Sequence, residues 1–599
     1  MLRLTPALLI FNVFVPACVL ATTWLSTQMP PTTGTTSAGT ASCPTSKYRS
    51  IDSSCSSRLN PTWGTANQPY ASLLPPNYAD GISSPPVMND GNEYISARTI
   101  SFNVFSIDEI RDPANTLLNV FFMNAIGHDL NAPAGATDNV QCCVNGQIEE
   151  NAPSSCFPVP IADDDGVYTW FSIRCLNYVR VLTSPQTEPP QPAQQLNSAT
   201  SLLDLSFLYG TSIAQSISLR ATSGGRLQAV RRNGVEWPVI NPDGCTWADV
   251  CYLVADSRSY QFPMSATVHL IFLREHNRLA NQLRLLNPGW SDETLFQEAR
   301  RINVAQYQRI VYYEYLPRVL GELNMLSNRL IYQETGFATD FNAFQNPSSL
   351  SEFGNILIPF MQSQLPGAIN FYVNDTVQSV LLSSMEGKLT TLENVFASIF
   401  TSLLTQPANR MDSSFSIEWK NFMRRGSAAV GQDNLALDIQ RMRDFGFARY
   451  NEYRSRCGLN RFATWEAYNT TIKVLCPKTL ERLRLYYPSV DDLDVFVGAA
   501  FEEPIPGSLL GPTFFCLFRE QFLIARTGDR YFFEAGGLEG SFTAAQLAEI
   551  RKVGMSRLMC NAFPTTAKIQ ANAFGPVSVN NTLAACNTLP TLNLNAWKA

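Results

Sequence analysis

Apolar residues in this chain fall mainly at helical spacing. From Ile107 onward, stripes at three- and four-residue intervals dominate. One runs through Leu117, Phe121, Asn124 and His128, with Asn115 or Thr116 able to cap the helix. It places a polar pair, Asn124 and His128, one turn apart on an otherwise apolar face. The clearest helix starts near Pro263. Its stripe of Val268, Phe272, Leu279, Leu283 and Leu286 ends at Asn287-Pro288-Gly289, a strong stop signal. Ser291 then caps a second long helix that runs to Tyr315, before Pro317. Further helices are predicted over Thr390–Leu404, Leu435–Phe445, Thr479–Leu483, Phe514–Ala525 and Ala544–Val553. Strand periodicity is confined to short hairpins, and there is no internal repeat.

Two segments break the helical pattern. Cys43 to about Asp90 is rich in Pro, Asn and Ser and reads as an irregular arm tied by a disulfide. Asn131–Gln195 is loop-rich, with four cysteines and the run PQTEPPQPAQQ. Before both lies Met1–Ala21, a basic residue followed by an apolar run broken by Pro6, Asn12 and Pro16. It reads as a secretory signal peptide, with a signal anchor as the alternative. Thr22–Ser42 follows as a Thr/Ser/Gly/Pro-rich disordered linker. Residues 43–599 then form one large, mainly α domain with disulfide-tied loops.

Composition supports this outline. Apolar content of 45% and charged content of 16% describe a chain with ample core. A net charge of −6, a pI near 5.4 and the lack of a basic cluster exclude a nucleic-acid partner; RRNG at 231–234 reads as a solvated turn. No later stretch could span a bilayer. Losing Cys18 with the leader leaves thirteen of the fourteen cysteines, in local clusters without C-x-x-C pairs. That pattern suits disulfides in an oxidising compartment better than a zinc site. One thiol is left over, and Cys476 has no obvious neighbour. Sequons at Asn374, Asn469 and Asn580 fit a secreted glycoprotein.

His128 is one of three histidines and is followed at once by Asp129. A histidine on an apolar face is more often a hydrogen-bonded core residue than a catalyst. Its wider context changes that balance. The string DSRSYQFPMSATVHLIFLREHNRLANQL, followed by NPGW and YEYLPRVLG, resembles the animal haem peroxidases of the myeloperoxidase/peroxidasin type. The likeness extends to CPTSKYRSIDSSC, LNSATSLLDLSFLYG, IQRMRDFG and NTLPTLNLNAW, and so covers Cys43–Ala599.

The resemblance implies six disulfides: Cys43–Cys55, Cys142–Cys156, Cys143–Cys175, Cys245–Cys251, Cys457–Cys516 and Cys560–Cys586, with Cys476 free. It also implies a calcium site made by Asp129 with Thr200, the Leu202 carbonyl, Asp204 and Ser206. Alternate oxygens of an extended loop suit a hard cation; the other reading is a polar turn before a strand-like FLYG. On the peroxide-binding side it implies His128 as the distal histidine, Arg258 as the distal arginine and Asn124 in place of the usual glutamine.

The opposite side departs from the family pattern. EFGNILIPFM (Glu352–Met361) places Asn355 where the family carries its iron-ligating histidine, and the segment holds no histidine at all. A neutral amide is a poor iron ligand. Asp438 replaces the asparagine that would support that histidine. Gly127 and Gln261 stand at the two haem-ester positions, where neither can form an ester. His269 and His276 lie seven apart on the long helix and read as network histidines.

Three functions are open at this point. The first is a secreted, non-enzymatic peroxidase-like protein, binding calcium but no properly held haem, that serves as a matrix component in a shell, cuticle or egg coat. The second is a working peroxidase that oxidises donors with H₂O₂ through His128 and Arg258. The third is a carrier that uses the vacated pocket. The first is the expectation taken forward.

Overall fold

The computed structural model describes residues 43–135, 140–232, 234–331, 336–373, 376–390, 395–472 and 477–599. The proposed leader and linker, Cys476 and Asn374 fall outside the described residues.

Helix α1 spans Leu118–Leu130. Asn115 and Thr116 do not cap it. They lie in the strand Arg111–Thr116, and Leu117, already helical in φ and ψ, takes the cap position. The cap is replaced by tethering: Asn119 Nδ2 donates to the carbonyls of Thr116 and Phe574 at 3.0 and 2.6 Å. Eleven of its thirteen residues are buried, and the two half-buried positions are Asn124 and His128.

Helix α2 runs Pro263–Leu286, with Pro263 in its first turn where no N–H is needed. Val268, Phe272, Leu279 and Leu283 of its predicted stripe are all fully buried. Helix α3, Asp292–Ile310, is capped as expected by Ser291, whose Oγ accepts from Thr294 N at 3.1 Å. Pro317 does not end this helix. The chain widens into a π turn, Val311–Tyr315, and continues as α-helix to Leu320. The same arrangement recurs at Phe353–Leu357, a π turn followed by Ile358–Met361 with Pro359 in its first turn. A proline ring clashes with the carbonyl four residues back in a regular helix, and the wider turn displaces that carbonyl.

Helix α4, Asn434–Asp444, and helix α5, Pro512–Thr527, match their predicted positions to within two residues. FLYG is not strand-like: Ser206–Tyr209 is a single helical turn. The strands described pair in seven two-stranded antiparallel ladders, the longest joining Ala368–Val373 to Thr376–Leu381. A buried aromatic cluster of Phe122, Phe272, Tyr307, Tyr315 and Phe574 locks α1 to α2 and α3.

Six disulfides form, in the pairing the resemblance implied. Among the described residues, no helix is long and apolar enough to cross a membrane. Asn580 is exposed and Asn469 half-buried.

Candidate functional site

Two neighbouring residues of α1 serve two different surroundings. Asp129 is fully buried against the loop 200–206. Its Oδ2 accepts from the N–H groups of Asp204 (3.0 Å) and Leu205 (3.1 Å). Its Oδ1 accepts from Ser206 N (2.5 Å) and Ser206 Oγ (2.9 Å). Leu205 holds a left-handed φ of 60°, which turns these donors toward α1. Asp204 sits beside it, accepting from Thr200 Oγ1 at 2.7 Å and Ser53 Oγ at 2.6 Å. Burial and then the Asp204 charge raise the Asp129 carboxyl well above the usual range. Two buried carboxylates side by side concentrate negative charge that a cation relieves. The hydroxyls of Thr200 and Ser206 now direct their protons at the carboxylates, and rotation about one bond would aim lone pairs into the same space.

His128 has no such network, and no hydrogen bond to its ring is found among the described residues. Desolvation, followed by the Arg258 charge, pushes its imidazole down to about 3, so the ring is neutral at physiological pH. Arg258 lies in the turn Ser257–Tyr260 and is gripped by Asp256. Burial works to raise Asp256, but Arg258 holds it at about 2. The guanidinium donates to the carbonyls of Asn131 (2.8 Å) and His128 (3.3 Å). Arg258 therefore caps the C-terminal end of α1, where a cation is favoured by the helix dipole. It reaches the His128 backbone rather than its ring.

Facing α1 is the segment containing Asn355. Glu352 anchors it: its carboxylate accepts from Leu73 N, Ser72 Oγ and Tyr453 OH at 2.8, 2.9 and 3.0 Å. Asn355 is fully buried. Its Nδ2 donates to Ser351 O at 3.2 Å, while its Oδ1 has no hydrogen-bond partner among the described residues. Two turns of α1 and the residue that follows it touch this segment directly. Asn124 Oδ1 accepts from Gln362 Nε2 at 2.8 Å. Gly127 lies under Ile358, so that a Cβ there would come within 3.2 Å of Ile358 Cδ1. Asn131 Nδ2 donates to Gly354 O at 3.1 Å.

The remaining predicted positions are occupied by ordinary polar contacts. Gln261 Nε2 donates to Glu386 Oε1 at 2.7 Å. Asp438 pairs with Arg441 at 2.8 Å, and burial raises its carboxyl to about 6 despite that partner. His276 bridges Tyr209 OH (3.0 Å) and the Gly225 carbonyl (2.9 Å), and His269 bonds Tyr260 OH at 3.2 Å. Both are network histidines.

Sequence reasoning missed Asp256, Asn131 and Gln362. Asp256 left a signal, an acid two residues before the arginine at the start of a turn. Asn131, one turn after His128, left a weaker one, and Gln362 left none.

The description "Animal haem peroxidase" belongs to a family model that matches residues 48–574. The chain belongs to this family. It is 39% identical over 591 residues to a Drosophila melanogaster peroxidase, spanning 95% of this chain and 85% of that protein. It is 33% identical to the chorion peroxidase of Aedes aegypti, over 93% of this chain and 72% of that one. Among solved structures, peroxidase A from Dictyostelium discoideum superposes with a TM-score of 0.73 at 23% identity, covering 88% of this chain and 99% of that one. This likeness shows the fold.

Proposed function

We propose that this family member is a secreted, calcium-binding protein that performs no haem turnover and serves as a structural or binding component of an extracellular matrix. The observation that carries the reading is the direct contact between α1 and the Asn355 segment. Asn124, Gly127 and Asn131 touch Gln362, Ile358 and Gly354 along about 10 Å of helix. A porphyrin held between His128 and Asn355 would have to part all three contacts. Asn355 would then offer an amide where iron needs an imidazole. The residues present do not fit the group.

Calcium does fit. The set formed by Asp129, Asp204, Thr200, Ser206 and the Leu202 carbonyl is all oxygen, buried and negatively charged. The six disulfides agree with an oxidising compartment, and two relatives named chorion peroxidases suggest an egg-coat setting. A second reading, peroxidase turnover through His128 and Arg258, is favoured by their adjacency and the neutral imidazole.

Haem added to the purified protein decides between them. The expected result is no stoichiometric Soret band and no peroxide-dependent donor oxidation, with Asn355→His alone recovering neither. A stoichiometric band with turnover that disappears in His128→Ala would establish the second reading instead.

A further inference from the structure

A cleft lies where the N-terminal arm, within CPTSKYRSIDSSC, crosses α3 and the loop 531–542. Lys47, Tyr48 and Arg49 form one wall, Arg300 and Arg301 the floor, and Tyr531 and Phe542 the other side. No acidic side chain lines it. In a chain of net charge −6, three of the four cations here share two ion-pair partners. Glu298 pairs with Lys47 and, at 3.5 Å, with Arg301; Asp529 pairs with Arg49 at 2.6 Å. Arg300 forms no ion pair among the described residues; it donates to Arg49 O at 2.7 Å and Ser50 O at 3.2 Å, and the Asp204 and Asp129 carboxylates favour its charge from a distance.

Two donors are left over. Arg49 is 8% exposed and Arg300 3%, yet Arg49 Nη1 and Arg300 Nε have no hydrogen-bond partner among the described residues. A buried guanidinium nitrogen without an acceptor is costly and calls for one. The free space, about 30 Å³, would admit roughly two waters or one compact polar group. Four cationic groups from the arm and from α3 suit a tetrahedral oxyanion better than a flat carboxylate, which one arginine fork would satisfy. Aromatic rings back the guanidinium groups: Arg301 stacks on Phe542 at 4.0 Å and Arg49 lies 5.1 Å from the Tyr531 ring centre.

We propose that this cleft is a binding site for a sulfate group carried on an extracellular polysaccharide, held by Lys47, Arg49, Arg300 and Arg301. The choice of a sulfated glycan rests on the secreted, matrix-associated reading above; the anion site itself rests on the cleft alone.

The test uses the full disulfide-bonded chain. Inorganic sulfate should raise the melting temperature more than chloride at equal ionic strength. A heparin-derived hexasaccharide should bind in calorimetry, and its desulfated counterpart should not. Lys47→Gln, at a half-exposed side chain, and Arg301→Gln should each weaken binding about tenfold. Lys568→Gln, at an exposed position outside the cleft, should leave it unchanged. If sulfate acts no better than chloride, the anion site is refuted. If sulfate acts but both hexasaccharides bind alike, the glycan assignment falls while the anion site stands. Should Arg301→Gln fail to fold, Lys47→Gln carries the test, and hexasaccharide binding equal to wild type in that variant overturns the proposal.

Discussion

Asp129 and His128 are adjacent in the chain, yet one faces a completed polar site and the other an unfinished one. Around Asp129, the carboxylate receives four hydrogen bonds, and its neighbours converge on one small volume. Around His128, the ring has no partner among the described residues, and the opposing segment closes on α1 through Gln362 and Ile358. The difference teaches that the two halves of a family site can be held separately. Asp129 joins α1 to the loop 200–206 and so supports the scaffold. The His128 ring holds no hydrogen bond among the described residues; Arg258 engages its carbonyl, at 3.3 Å.

The comparison breaks most readily by substitution. Asp129→Asn should cost about 3 kcal/mol, because it places an amide nitrogen among buried donors. His128→Ala should cost about 1 kcal/mol or less, since a half-buried ring without hydrogen bonds is lost. Urea titration of both variants checks the contrast, and equal costs would erase it. Next in size is calcium: chelation should lower stability by about 2–3 kcal/mol, the gain expected from a ligand near a hundredfold above its dissociation constant. An unchanged melting temperature would remove calcium from the Asp129 side.

A pH-dependent effect sharpens the other side. Asp438 is raised to about 6, so the folded protein holds its proton more tightly than the unfolded chain between roughly pH 4 and 6. Stability from this group is complete below the unfolded value and is lost as pH rises through about 6. Asp438→Asn should therefore stabilise by about 1–2 kcal/mol at pH 8 and have no effect near pH 4. Thermal melts at the two pH values measure it. Equal effects at both would show that Asp438 keeps its charge throughout.

Much of this fold was legible because its signals are local. Apolar stripes marked α2 through α5, Ser291 marked a helix start, and cysteine clusters marked short disulfide loops. Pro317 misled because its usual role as a helix stop is cancelled by the π turn before it, which is set by packing. FLYG misled because its four residues are too few to show a period. At the site, motif likeness located Asp129, His128 and Arg258 but not what they touch. The closure of Gly127 against Ile358 joins residues far apart in the chain, and no local pattern encodes it. The cationic cleft is an extreme case: its basic residues, Lys47, Arg49, Arg300 and Arg301, come from two segments far apart in the chain.

That cleft also bears on how the chain reaches its native state. Arg49 and Asp529, which close its wall, are separated by 480 positions, and Arg530 and Tyr531 bond the Cys55 and Ser46 carbonyls across a similar span. The arm emerges early in synthesis and meets Asp204, Glu298 and Arg300 at mid-chain, but Asp529, Arg530 and Tyr531 are made only near the end. Until then the arm is held by its own Cys43–Cys55 loop and part of its contacts. Full seating of the arm is then a late event, and protease resistance at residues 43–58 would serve as a clock for the completion of folding.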